Sequence, residues 1–343
     1  MTKPVNTEEL LGTIYAESFL IEGYIDSGVM GSVFRARQIN KDRTVALKVI
    51  NAELIEDQEI IARFHREMRV TAAIKHPNTV RVYQYGHTTK GELYLAMELL
   101  EGKSLDDVML EEGPMAWRRV ALIAGQIAAA LQAAQGAKVV HRDLKPENIM
   151  VTRSPEFDTW VKVLDFGLAH VGEGEGEGDE QLTAYGARVG TPYYMAPEYV
   201  QTFDLDHRSD LYALGVLMFE MLTGKPPFQG GPYEVLHKHV KEAVPPLREI
   251  HPELDAPDWF EALVLQLLEK DPNKRPADAR EVIERLSAHV ELPVFPESRP
   301  SVPPAAPPVA KRALPLVAIA GVSAALFVVV GIVLMGAVAW YAR

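Results

Sequence analysis

The chain has 343 residues, more than a typical single domain, so it reads as one large two-lobed domain or a medium domain with appendages. A composition 48% hydrophobic and 24% charged excludes wholesale disorder. With 35 Lys and Arg against 47 Asp and Glu, the net charge of -12 argues against nucleic-acid binding through a generally basic surface. The absence of cysteine removes disulfides, thiol nucleophiles and thiolate metal sites.

The opening MTKPVNTEEL lacks the apolar segment of a secretory leader, and residues 1–18 read as an N-terminal extension. FLIEGYIDSGVMGSVFRARQ then alternates apolar and polar residues around a glycine-containing turn and RTVALKVI follows, which predicts strand, turn, strand, strand. From about Asp57 to Ile74, the apolar residues Ile60, Ile61, Phe64, Met68 and Val70 recur at helical spacing before HPN ends the element. After Gly113 the chain changes character: WRRVALIAGQIAAALQAA, LYALGVLMFEMLTG and FEALVLQLLEK predict long apolar helices. A small strand-rich lobe is therefore expected ahead of a larger helical one.

Between DFG and APE, the alternating Gly and Glu of VGEGEGEGDEQLTAYGARVGTPYYM predict a solvated segment with no packed element. Residues 290–312 are too proline-rich for helix or sheet and read as a semi-rigid juxtamembrane linker. From Ala313 to Ala342 there is no charge, a stretch longer than the roughly 20 residues a helix needs to cross a bilayer. A membrane-spanning helix is expected over 314–340, with 341–343 as an external tail. Lys311 and Arg312 precede the span and only Arg343 follows it, which places 1–312 in the cytoplasm of a single-pass protein of the cell membrane. The small residues Ala320, Gly321, Ser323, Ala324 and Ala325 would let two such helices approach as a homodimer.

Eight strings occur in order across 19–289: IDSGVMGSV, VALK, Glu67 in FHREM, HRDLKPEN, DFG, APE, SDLYALG and DPNKRPA. This set resembles the signature of the eukaryotic-like (Hanks-type) protein kinases, and the linker and span are similar to those of bacterial transmembrane serine/threonine kinases. The resemblance implies an α+β bilobal fold: a β-rich N-lobe over about 19–97, a hinge at 98–100 and a helical C-lobe over 101–289, followed by the C-terminal transmembrane helix. It also implies ATP with magnesium, or manganese in its place, as cofactors, and proteins bearing Ser or Thr hydroxyls as substrates.

On the same resemblance, Ile25, Asp26, Ser27, Gly28, Val29, Met30, Gly31 and Ser32 form a turn over the phosphates, with Gly28 and Gly31 permitting close backbone approach. Asp26 stands where the family usually has its first glycine, and its carboxylate would oppose the phosphates. Val33, Ala46 and Met150 sandwich the adenine, Met97 is the gatekeeper, and Glu98 to Leu100 present hinge backbone to the base. Lys48 takes the α- and β-phosphates with Glu67 as its ion-pair partner. Asp143 accepts the substrate hydroxyl proton, Lys145 stabilises the transferred group, and Asn148 and Asp165 hold metal. Arg142 receives a phosphate on the activation segment, where Thr183 is the candidate autophosphorylation site; Glu175, Glu177, Asp179 or Glu180 substituting for that phosphate is the competing reading. Thr191 contacts the catalytic loop and the acceptor hydroxyl. Glu198 with Arg275, and Asp210 on the catalytic-loop backbone, are expected to be architectural. A membrane-tethered pseudokinase scaffold is the principal alternative, and a small-molecule phosphotransferase a further one.

Overall fold

The alternation over 19–38 folds as β2 (Phe19–Gly28) and β3 (Gly31–Gln38), paired antiparallel so that Gly28 faces Gly31 across the turn. They belong to a six-stranded sheet of order β1-β2-β3-β4-β6-β5, completed by β1 (Ile14–Tyr15), β4 (Arg43–Ile50), β5 (Val82–His87) and β6 (Leu93–Glu98), with α1 (Thr7–Leu10) ahead of it. The structure, a computed structural model, describes residues 7–28, 31–50, 58–89, 91–154, 157–166, 192–202 and 205–293.

The period of two along β4 decides what each face of this sheet does. Val45, Leu47 and Val49 point to one side, into a cluster with Phe19, Ile21, Phe34 and Tyr94. Ala46 and Ile50 point to the other, with Phe64, Met68, Leu95 and Met97, and Lys48 shares their parity. That second face is covered by α2 (Gln58–Thr71), whose Phe64 and Met68 lie one helical turn apart and are fully buried. Val70, grouped with them in the sequence reading, is instead 38% exposed because two residues on from Met68 is the far side of the helix. α2 ends three residues before Ile74: Ala73 and Ile74 bond to carbonyls three residues back, the tighter geometry that closes a helix.

The second lobe is helical: α3 (Leu105–Glu112), α4 (Trp117–Gly136), α5 (Pro197–Thr202), α6 (His207–Thr223), α7 (Pro232–Lys241), α8 (Leu247–Ile250), α9 (Asp258–Leu267) and α10 (Ala279–Ser287). α4 and α6 are its centre, with Ile123, Ile127, Leu214 and Leu217 wholly inaccessible to solvent. The Asp206 carboxylate accepts the Arg208 N–H at the start of α6, and Gly224, at φ +74°, closes its end. A small sheet of order β7-β8-β9, made of β7 (Lys103–Ser104), β8 (Ile149–Thr152) and β9 (Trp160–Val163), lies on this lobe. Packing continues into the segment read as linker, since Val290 and Leu292 join the apolar core and Leu292 sits against Gly125 on α4.

The fold is therefore bilobal, a β-sheet lobe with one long helix followed by a helical lobe. The rest of the proline-rich linker and the expected span, within 294–343, lie outside the described residues. Among the described residues, no helix is long and apolar enough to cross a membrane.

Candidate active site

The nucleotide side of the site is built on the turn joining β2 and β3. Gly31 is required there: at φ +155° a Cβ would fall 2.0 Å from the Val49 carbonyl oxygen. Asp26 pairs in register with Val33, Ser27 with Ser32, and the Asp26 carboxylate accepts the Ser27 backbone N–H at 2.7 Å. Ile25 is 46% exposed and Ser32 is buried; Val29 and Met30 lie outside the described residues. Val33, Ala46, Met97 and Leu100 gather in one apolar cluster with Leu164, which forms the wall expected for an adenine. Met150, half-buried on β8, is held opposite Lys162 of β9.

The catalytic-loop candidates sit between α4 and β8, on a short stretch held by several independent bonds. Asp210, on the buried face of α6, accepts the backbone N–H groups of His141 at 2.8 Å and Arg142 at 3.0 Å. Burial raises the Asp210 pKa, and the two N–H bonds with the nearby His141 and Arg142 oppose that rise. The His141 ring accepts the Asp143 N–H at Nδ1, so its Nε2 carries the proton and donates to the Leu164 carbonyl at 2.8 Å. The ring also meets Phe166 edge-on at 4.6 Å between centroids, which ties this loop to the segment that follows β9. Within the loop, Lys145 Nζ lies 2.8 Å from Asp143 Oδ2, and the Asn148 amide donates to the Asp143 backbone and side-chain oxygens at 2.7 and 3.1 Å.

Of the candidate site residues, Arg142 at φ +70° and Asp165 at φ +53° adopt left-handed backbone. Each such conformation costs on the order of 1–3 kcal/mol and persists only where its surroundings impose it. Here the Asp210 and His141 bonds do so for the first, and the turn aims Asp165 into the cleft. Asp165 Oδ2 receives Lys48 Nζ at 2.5 Å, an ion pair largely shielded from solvent. This differs from the expected Lys48–Glu67 pair: among the described residues, Lys48 makes its ion pair with Asp165 and none with Glu67. Lys48 shares the parity of Ala46 and Ile50 on β4, and the left-handed backbone of Asp165 accompanies a carboxylate within its reach. Thr71, at the end of the helix that carries Glu67, donates to the Phe166 carbonyl at 3.3 Å.

Glu198 and Arg275 form a bidentate pair at 2.8 and 2.7 Å, with the Arg275 side chain fully buried. The guanidinium also donates to the carbonyls of Arg208, Glu269 and Lys270, and Ser209 donates to Glu198. Burial alone would raise the Glu198 pKa; the Arg275 hydrogen bonds and charge outweigh it, together with Ser209, and hold that carboxyl below its usual range. Thr183 and Thr191 lie outside the described residues.

Three groups near the site escaped the sequence reading. Gln126, fully buried on α4, accepts from Asn78 Nδ2 and the Val161 N–H at 3.0 and 2.9 Å, joining HPN to β9. Lys162 reaches Glu98 of the hinge at 2.7 Å. Tyr194 donates to Glu220 at 2.5 Å, and Glu220, pushed up by burial and by the Asp106 and Glu147 charges, has a pKa of about 7. A single polar residue within an apolar run, as in VALIAGQIAAA and WVKV, was the available signal for the first two.

A sequence model described as the protein kinase domain matches residues 19–287. The serine/threonine-protein kinase pkn3 of Myxococcus xanthus is 41% identical over 275 residues, 80% of this chain and 50% of that protein. PknB of Mycolicibacterium smegmatis, likewise a serine/threonine-protein kinase, is 39% identical over 74% of this chain and 40% of its own length. The chain thus spans half or less of the length of these relatives. Among solved structures, the kinase domain of Mycobacterium tuberculosis PknI has the same fold, with a TM-score of 0.63 at 23% identity, covering 81% of this chain and 98% of that one. The ordered strings, the two lobes around a Lys48–Asp165 cleft and the match over 19–287 have one conclusion: this chain belongs to the protein kinase family.

Proposed function

We propose that the chain is a serine/threonine protein kinase that transfers the γ-phosphoryl group of ATP to hydroxyls of proteins, anchored in the cell membrane with its catalytic domain in the cytoplasm. The observation that carries this reading is the single pinned loop on which Asp143, Lys145 and Asn148 converge, facing Lys48 and Asp165 across the cleft. The bacterial serine/threonine kinases among its relatives support the same activity.

The residues fit a magnesium nucleotide. Among the described residues, Asp165 Oδ1 is buried and accepts no hydrogen bond, while the Asn148 amide nitrogen is spent on Asp143 and its carbonyl oxygen is left for a cation. Magnesium–ATP supplies the phosphoryl group and neutralises part of its charge. Asp143 takes the acceptor hydroxyl proton, oriented by Asn148 and by Lys145, whose ammonium also lies where charge on the transferred group must be balanced. Lys48 fixes the nucleotide phosphates, and the apolar wall of Val33, Ala46 and Met97 excludes water from the base.

The layout of residues 290–343 as linker, span and short tail rests on their composition. Activation by a phosphate on Thr183, received by Arg142, is the regulatory part of the proposal. Purified full-length chain in detergent, incubated with ATP and magnesium beside Asp143→Asn, tests the whole: the wild type gains phosphate on Ser or Thr and the variant does not. Nucleotide-induced thermal stabilisation without phosphate transfer to itself or to a generic substrate would replace the kinase by a scaffold. Thr183→Ala retaining full activity would transfer the activating role to the acidic residues at 175–180. Recovery of the chain in the soluble fraction of disrupted cells would remove the membrane anchor.

A further inference from the structure

The β8–β9 hairpin carries a lysine for which the phosphoryl-transfer machinery has no use. Along β9, Val161 and Val163 are fully buried in the helical lobe, so the period of two turns Lys162 to the opposite face. That is the face of its cross-strand neighbour Met150, the expected adenine floor. From there Lys162 Nζ reaches Glu98 Oε1 at 2.7 Å and the Thr79 carbonyl at 3.4 Å. The pair is sheltered, with side chains 16% and 21% exposed.

Glu98 is doubly held. Its backbone N–H donates to the Arg81 carbonyl at 2.9 Å, and its carboxylate accepts the Arg81 N–H at 2.8 Å on the same oxygen that receives Lys162. Around them the segment 78–80 is stitched to β9: Val80 donates to the Val163 carbonyl, Val163 to Asn78, and the Asn78 amide to Val161. Lys162 is thus the charged side chain that spans from the small sheet under the cleft to the end of β6, where the chain becomes the hinge. A charge-assisted bond in a shielded site resists displacement far better than an exposed one.

We propose that Lys162 is a positioning residue for the nucleotide: by holding Glu98 to β9 it sets the gap between the hinge backbone and the Met150 floor into which the adenine fits. It does not touch the reacting atoms. The inference rests on the kinase reading, and predicts that loss of the tie weakens ATP binding while the catalytic loop, anchored separately by Asp210, keeps its geometry.

The test uses the full-length chain, with magnesium–ADP binding by calorimetry and ATP dependence of phosphorylation of a generic protein substrate. Lys162→Met raises both the ADP Kd and the ATP KM about tenfold, with kcat within about twofold. Lys162→Arg, which keeps the charge and the reach, restores both; Glu98→Gln weakens binding similarly, and the double variant is no worse than either single one, as a coupled pair requires. An unchanged Kd and KM, a fall confined to kcat, or equal damage from Lys162→Arg overturns the proposal. Should Lys162→Met fail to fold, Glu98→Gln against wild type decides the matter by the same Kd and KM. A wild type that binds ADP but transfers no phosphate overturns the kinase reading and leaves the positioning role to stand on the Kd alone.

Discussion

The catalytic loop and the nucleotide-covering turn sit on opposite lobes and are held in opposite ways. The loop is over-determined: Asp210 bonds two successive backbone N–H groups, His141 bonds Leu164 and Asp143, Asn148 bonds Asp143, and the left-handed Arg142 persists under that constraint. Among the described residues, the turn between β2 and β3 is held by its own strand ladder and by a local bond from the Ser27 N–H to the Asp26 carboxylate. The difference follows from what each must do. A base and its neighbouring cation need geometry fixed to fractions of an ångström, whereas a phosphate cover must open to admit its ligand.

The comparison can be broken most directly at the loop. Asp143→Asn should lower phosphate transfer by about 10²–10⁴-fold with little change in melting temperature, because the amide keeps the shape and loses the base. Activity within tenfold of wild type would remove Asp143 from the chemistry. The Glu198–Arg275 pair should behave as structure: Arg275→Met leaves the Glu198 carboxylate buried without its cation and should cost about 3–5 kcal/mol in urea unfolding. Asp210→Asn presents an amide N–H toward N–H groups that need acceptors, and should lower kcat about tenfold or more while leaving ATP KM near wild type.

On the turn the expected effects are smaller and of opposite sign. Asp26→Gly removes an exposed carboxylate from the turn proposed to cover the phosphates and should lower ATP KM by roughly two- to fivefold, since exposed charges interact weakly through water. An unchanged or higher KM would show that its bond to Ser27, not its charge, matters to binding. The smallest effect concerns acid stability. Burial lowers the His239 pKa from 6.5 to about 3, reinforced by the Lys270 charge, and burial with Lys162 lowers His76 to about 4. Between those values and 6.5 the unfolded chain binds protons that the folded chain refuses, so these groups make stability fall as pH drops through that window. The slope of unfolding free energy against pH should lessen by up to about one proton in His239→Asn, even if that variant is less stable at every pH.

Much of the site was legible without coordinates because its chemistry requires particular residue types at short spacing. Asp143, Lys145 and Asn148 lie within one loop, and chain proximity alone brings them together. The two lobes were legible for a different reason, the switch of apolar period from two to nearly four after Gly113. The Val70 assignment failed because five apolar residues at roughly helical spacing do not all share one face. Gln126 and Lys162 were passed over because each is one polar residue in an apolar run, and a run does not reveal its partner.

The sequence by itself determined the order of elements, the kinds of group available and the loop on which they converge, since all of these follow from local pattern and composition. The tertiary structure alone decided which carboxylate meets Lys48, which lysine holds the hinge and which helix pins the catalytic loop. Those pairings join residues 117, 64 and 69 positions apart. Such partners are chosen by strand parity, burial and the exclusion of water from a shared interior, and these exist only after the two lobes have closed on their cores.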